Sequence, residues 1–461
     1  MGLRCLVFII FASLFVSNCL SSYYPESQDN DQLNFDGRDD DDDQLSYYKY
    51  YDDSSSADQR QMSYNRDDGD YLNYPTLSVK RQHGGSGSSS STVFNVVRYG
   101  ARGDGRSDDT QAFGKAWQEA CSSGNAAVFM VPRSGVFLLK PITFQGPCKK
   151  SLTVKIMGKI IASKNAGDFA KDRRYWLLFD NVNNVNVNGG GTIDGNGANW
   201  WRNSCKINPS KPCTNAPTAL TFNECKNVNV QNLAIQNAQQ MHLVFMKCVN
   251  VVASNLMVQS PGNSPNTDGI HVSETQTVSI MNSVIKTGDD CISVVSGSRS
   301  VKATDITCGP GHGISIGSLG ADNSEAHVSD VIVNRARISG TMNGVRIKTW
   351  QGGSGTASNI VFQNIVMNNV SNPIIIDQNY CDHQKCHQEN SAVRIQNVMY
   401  NNIKGTSASD VAIKFDCSKV FGCHGIIMNN VKLVSYDRSE KAEAACENVG
   451  LIYHGMVGPK C

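Results

Sequence analysis

Three aspartates and a histidine stand at nearly equal intervals in the middle of the chain, in Asn266-Thr267-Asp268-Gly269, Gly288-Asp289-Asp290-Cys291 and Gly311-His312-Gly313. Asp268 precedes Asp290 by 22 residues and Asp289 precedes His312 by 23, so a backbone that returns to the same place about every 23 residues would set these side chains on one face. Carboxylates gathered in this way oppose each other's ionisation, which keeps one protonated near neutral pH as a general acid while a neighbour serves as base. Asp-Gly pairs are ordinary in surface turns, but three carboxylates on one face are costly without a task. Calcium is a rival reason to gather them. Arg346 and Lys348, one to two intervals further on, supply positive charge without a metal.

The chain around these residues has the required repeat. Asn227–Ile235, Asn250–Val258 and Thr277–Ile285 share a frame whose sixth position is Asn232, Asn255 and Asn282, and the frame continues through Asp305, Arg335, Asn364, Asn397 and Asn430 in steps of 23 to 33 residues. Each unit is too short to be a domain and too apolar at alternate positions to stand alone, so the units must stack as a solenoid. Strand-and-turn coils fit best, which predicts an all-β, right-handed parallel β-helix. Asn recurring at a turn can ladder its amide along the stack, a structural role. Asp268, Asp289 with Asp290, His312, Arg346 with Lys348, and Tyr380 each follow the sixth-position turn of successive coils, and so would line one groove.

Ahead of the repeat, Phe94–Tyr99 alternates as a first strand. Ser107, Asp108 and Asp109 then offer helix caps before Ala112, Phe113, Ala116, Trp117 and Ala120, which recur at helical spacing and predict one short capping helix over the open end of the core. Residues 1–21 carry Arg4, an apolar run and small residues in the pattern of a secretory signal peptide. No later segment has the 18 apolar residues of a membrane span. Residues 22–92 hold 15 acidic against six basic residues and end in a Gly/Ser run; such a self-repelling stretch is expected to be a disordered pro-segment or linker. Residues 93–461, the expected catalytic domain, are left with a net charge of +9, which suits an anionic partner. Fourteen cysteines beyond residue 21, in a secreted context, predict disulfides. Cys381 and Cys386, beside His383 and His387, are expected to form a bridge rather than a zinc site. Asn369-Val370-Ser371 is the only N-glycosylation sequon.

Together, Asn266-Thr267-Asp268, Gly288-Asp289-Asp290, Gly311-His312-Gly313 and Arg346-Ile347-Lys348 resemble the four signature motifs of polygalacturonases, the pectin-hydrolysing family of glycoside hydrolases. Gly344–Gly353 and Ile376–Cys381 resemble the plant branch, and the likeness runs from about residue 93 to the C-terminus. The resemblance implies hydrolysis of α-1,4-galacturonosyl linkages with inversion and a role in wall loosening or cell separation; internal attack is the expected mode, and loops at the groove ends decide it against attack from a chain end. It implies Asp289 as general acid, Asp268 and Asp290 as the pair that activates water, and His312 as the residue that holds the acid's protonation state. Asn266, Arg346 and Lys348 would bind sugar carboxylates and hydroxyls, and Tyr380 would shape a subsite. The expected partner is polygalacturonate, with no nucleic acid, no metal and no cofactor, for a monomer secreted to the cell wall. The same resemblance supports disulfides Cys291–Cys308, Cys417–Cys423 and Cys446–Cys461. A calcium-dependent pectate lyase and a non-catalytic wall-binding β-helix are the alternatives.

Overall fold

The computed structural model describes residues 91–381, 388–437 and 441–461. The expected signal peptide, residues 22–90 of the acidic segment, and Cys386 lie outside the described residues; Cys381 is disulfide-bonded.

From Thr92 onward the chain is a right-handed parallel β-helix in which every strand pairing recorded within its two long sheets is parallel. Each coil contributes a long strand to one sheet, such as Gln276–Lys286, and a short one to the other, such as Ile292–Val294. Alternation along the short strands decides which face is core. Leu243, Ile270, Ile292, Ile314, Val345, Ile374 and Ile413 occupy one register position on seven successive coils and are all buried. Burying such a side chain contributes about 1.5–3 kcal/mol, so the column is cooperative along its length. Phe179, Phe222 and Phe245 stack at ring separations of 5.0 and 5.5 Å in a neighbouring column.

The long strands bend at two rows of left-handed residues, five positions apart. One row runs Asn184, Asn227, Asn250, Thr277, Ser300, Asp330, Asn359 and Asn397; the other runs Asn232, Asn255, Asn282, Asp305, Arg335, Asn364, Asn402 and Asn430. Asn tolerates positive φ because its short amide bonds locally. Amide ladders run chiefly in the first row rather than at the sixth position where one was expected: Asn227 donates to Asn184 at 2.8 Å and Asn250 to Asn227 at 2.7 Å, while the second row has Asn402 donating to Asn364 at 2.7 Å. Asn397 therefore corrects the sixth-position frame: it belongs to the first row, and Asn402 holds its place in the second. Both rows favour Asn, and the 38-residue step from Asn364 to Asn402 hides the register. Where Asp305 and Arg335 replace Asn, a two-pronged ion pair at 2.7 Å takes over the ladder.

The capping helix spans Thr110–Ser122 and buries the five residues its periodicity marks, Ala112, Phe113, Ala116, Trp117 and Ala120. Trp117 lies edge-on to Phe129, Phe144 and Phe179 at 5.1–5.9 Å, and a Cys121–Cys148 disulfide fastens the helix end. The alternating stretch before it is only partly a strand. Thr92–Asn95 pairs with Ala127–Met130, and Val96–Tyr99 then winds into a 3-10 turn begun by the Asn95 side chain accepting the Val97 N–H.

Disulfides join Cys205–Cys213, Cys291–Cys308, Cys417–Cys423 and Cys446–Cys461. Cys225 and Cys248 are buried free thiols, against the expectation that all fourteen cysteines pair. They stand at equivalent places on adjacent coils, and each donates to the carbonyl of the preceding coil, Cys225 to Phe179 and Cys248 to Phe222. Thr275 and Ser298 take the next two places and donate to Phe245 and Val272. One small donor per coil satisfies a buried carbonyl, and a thiol serves where a hydroxyl does on the next coils.

Candidate active site

The short-sheet strands fix the site by register. Because Ile270, Ile292 and Ile314 are aligned, the residues two places before them, Asp268, Asp290 and His312, start equivalent strands at steps of 22. Asp289 falls one place earlier than Asp290, so it reaches sideways to its neighbours on the adjoining coils. The turns that carry these residues approach too closely for any side chain at two glycines. A Cβ on Gly288 would sit 2.0 Å from the Ser264 carbonyl oxygen, and one on Gly313, at φ 82°, would sit 2.0 Å from that of Asn343. The Thr267 hydroxyl accepts the Gly288 N–H at 2.9 Å and bonds Ser264, which pins the first turn to the second.

All three aspartates are buried, and each has different partners. Asp268 accepts from the Ser293 hydroxyl at 2.8 Å, with His271 Nδ1 at 3.4 Å. Asp289 lies 2.9 Å from His312 Nδ1 and accepts from Asn266 Nδ2 at 3.3 Å and from the Asp290 N–H at 2.8 Å. Asp290 accepts from Ser315 at 2.7 Å, from Arg346 at 2.9 Å and from Lys348 at 3.3 Å. Lys348 Nζ is 5.4 Å from the centre of the Tyr380 ring, which meets Trp350 edge-on at 5.0 Å. The eight residues marked in the sequence are thus all in one cluster or touching it.

Burial and the Asp289 charge raise the Asp268 pKa above the usual carboxylate range, with His271 opposing. Burial acts the same way on Asp289, but the His312 cation, with Lys348 and Arg346, outweighs it and holds that carboxyl low. His312 moves the opposite way: burial would depress it, and Asp289 and Asp290 lift it above the ordinary imidazole value. These are two sides of one ion pair, in which a proton lies on the histidine side of a 2.9 Å contact.

Five contributors are not marked in the sequence: His271, Ser293, Ser315, His242 and Asp377. The first three share one outward register column with Arg346; Ser293 and Ser315 are short polar residues of a kind found everywhere in the chain. His242 is fully buried, donates from Nδ1 to the Asp268 carbonyl at 2.9 Å, and bonds the Ser260 hydroxyl through Nε2 at 2.8 Å. Burial pushes its pKa down to about 4. It orients Asp268 through the backbone rather than through the carboxylate. Asp377, aligned with Lys348, continues the groove, and burial followed by Asp416 pushes it up to about 6.

Asp289, Asp290 and His312 offer atoms within 4.8 Å of one another, a set that could hold a metal ion. Arg346 and Lys348 already occupy the Asp290 oxygens, so a cation would have to displace or face two resident positive charges.

Comparison with known proteins decides the family. The pattern of glycosyl hydrolases family 28 matches residues 121–456. The chain belongs to that family. It is 57% identical over 385 residues to "Polygalacturonase QRT2" of Arabidopsis thaliana, covering 83% of this chain and 87% of the relative. With "Polygalacturonase-2" of Solanum lycopersicum it shares 59% identity over 370 residues, 80% of each chain. Among solved structures, the polygalacturonase from Erwinia carotovora covers 81% of this chain and all of its own at a TM-score of 0.65 and 23% identity. The endo-xylogalacturonan hydrolase from Aspergillus tubingensis covers 79% of this chain and all of its own at a TM-score of 0.68 and 24% identity. These two support the fold. As a family 28 member the protein is a glycosidase.

Proposed function

We propose that the protein hydrolyses α-1,4-galacturonosyl linkages of pectin and polygalacturonate with inversion, attacking internal bonds, as a monomer secreted to the cell wall. The observation that carries the proposal is the sorting of three adjacent carboxylates into different environments. Asp289, ionised at rest, takes up the proton that His312 holds 2.9 Å away and passes it to the departing glycosidic oxygen. Asp268, oriented by Ser293, and Asp290, oriented by Ser315, take the proton of the attacking water. Asn266, Arg346, Lys348 and Tyr380 hold the sugar ring and its carboxylate; the net charge of +9 on residues 93–461 draws the polyanion in. Among the described residues no helix is long and apolar enough to cross a membrane.

Incubation with polygalacturonate should release reducing ends while viscosity falls early, and NMR of the first product should show the anomer opposite to that of the substrate linkage. A calcium-dependent eliminating enzyme would instead give an ultraviolet-absorbing unsaturated product and stop on chelation.

His312→Gln should move the alkaline limb of the kcat/KM profile to lower pH by about one unit or more. In the native pair the proton persists above the ordinary imidazole value, because His312 is raised. A lone Asp289 beside Lys348 and Arg346 gives its proton up at lower pH, even though loss of the histidine cation lets its own pKa rise. A limb that does not move would separate His312 from the acid. Lys348→Ala should raise KM several-fold, with a salt dependence weaker than that of the wild type and kcat less affected, since it removes a carboxylate partner and no transferable proton. A fall confined to kcat would contradict that role. Asn369, exposed at the end of Ser354–Val370, is the proposed N-glycan acceptor; a glycopeptide at any other Asn would contradict it.

A further inference from the structure

We propose that His271 is a positioning residue for the water-activating step, acting on Asp268 through the Ser293 hydroxyl as Arg346 acts on Asp290 through that of Ser315. The inference rests on the reading above, in which Asp268 takes a proton from the attacking water. Twice in succession a serine on one coil serves the aspartate that opens the coil before it: Ser293 donates to Asp268 at 2.8 Å, and Ser315 donates to Asp290 at 2.7 Å. A hydroxyl has one proton to give, so with the carboxylate ionised the group on the far side of each serine must donate to its oxygen. At Ser315 that group is the Arg346 guanidinium, with Nε 3.1 Å from Oγ; at Ser293 it is His271, with Nδ1 2.6 Å from Oγ. His271 is thereby fixed as the Nδ1–H tautomer, and its partly exposed ring can take a second proton at Nε2.

The two chains of hydrogen bonds differ in the cation that ends them. Asp290 has both Arg346 and Lys348, whereas His271 is the one basic side chain paired with the Asp268 carboxyl among the described residues. An imidazole gains or loses its charge between pH 5 and 8, which a guanidinium does not. Val244 is aligned with His271 on the preceding coil and Ser293 on the following one, so the charged groups around the pair are Asp268 itself, Asp289 and Asp290. Burial and the Asp289 charge make Asp268 hold its proton more tightly, and Asp290 adds to them; His271 opposes by hydrogen bond and by charge. His271 is therefore what keeps a buried carboxyl, with two others near it, usable as a base.

The acid limb of the kcat/KM profile on polygalacturonate reads this effect, because a base works only after losing its proton. His271→Gln keeps a donor for Ser293 and removes the imidazole charge, and the limb should move to higher pH by about one unit. His271→Arg puts a permanent cation in the column that already holds Arg346, and the limb should move to lower pH. Loss of packing does not give shifts of opposite sign. Ser293→Ala should move the limb upward, and combined with His271→Gln it should shift by less than the sum of the two, since they act in series; this pair carries the test should His271→Arg fail to fold. Melting curves establish the fold of each variant. A limb that stays in place in folded His271→Gln, shifts of one sign in the Gln and Arg variants, or additive shifts in the double variant would overturn the role of His271. A wild-type protein that releases no reducing ends from polygalacturonate would overturn the reaction instead.

Discussion

Replacing Asp289 with asparagine should lower kcat by a factor on the order of 10² to 10⁴ while the folded protein still binds polygalacturonate. The carboxamide keeps the shape of the side chain. Its oxygen can still accept the Asp290 N–H, now 2.8 Å away, and its place beside Asn266 and His312 is unaltered. What it cannot do is carry an acidic proton to the leaving oxygen. The loss should appear in kcat and kcat/KM alike, because a transferable proton matters in the transition state and little in the ground state. Circular dichroism and the melting curve establish that the fold survives. A folded Asp289→Asn protein with near-normal turnover would remove Asp289 as the acid and with it the assignment of roles to the other two carboxylates.

Arg346→Ala should destabilise the domain by about 3 kcal/mol and abolish most activity, because it strands a buried anion. Arg346 is 4% exposed and Asp290 2%, and the guanidinium also donates to Ser315 at 3.1 Å, so one side chain fixes both the carboxylate and the hydroxyl that orients it. Burial disfavours the cation, yet Asp290 foremost, then Tyr380 and Asp289, raise its pKa. Lys348 remains 3.3 Å from the other Asp290 oxygen, which keeps the cost from being larger. Urea unfolding measures the loss. Arg346→Lys should recover part of the stability and little of the activity, since an ammonium restores the charge without the fork that spans Asp290 and Ser315. Full stability in Arg346→Ala would mean that Asp290 takes up a proton at no cost, and the ion pair would then have no structural role.

The sequence by itself determined the repeat, the fold class, the helix with its buried face and the cluster of residues proposed for the chemistry. Those properties are local. A period of about 23 residues, alternating apolar positions and Asn at left-handed bends can each be read from a short window, and so can Asp-Gly and Gly-His-Gly turns. Register is different, because a shift of one residue exchanges the two faces of a strand, and loops of unequal length between coils conceal which residues align. Only the folded chain decided that Asn402 rather than Asn397 continues the second bend row, and that Asp268, Asp290 and His312 share a column while Asp289 stands one place off it. Only there do Arg346 and Lys348 converge on the single carboxylate of Asp290, and His271, Ser293 and Ser315 rise in the column beside them. The same holds for Cys225 and Cys248. Their number suggested a bridge, but stacking places each thiol under a carbonyl of the preceding coil, where donating a hydrogen bond is the use the site makes of it.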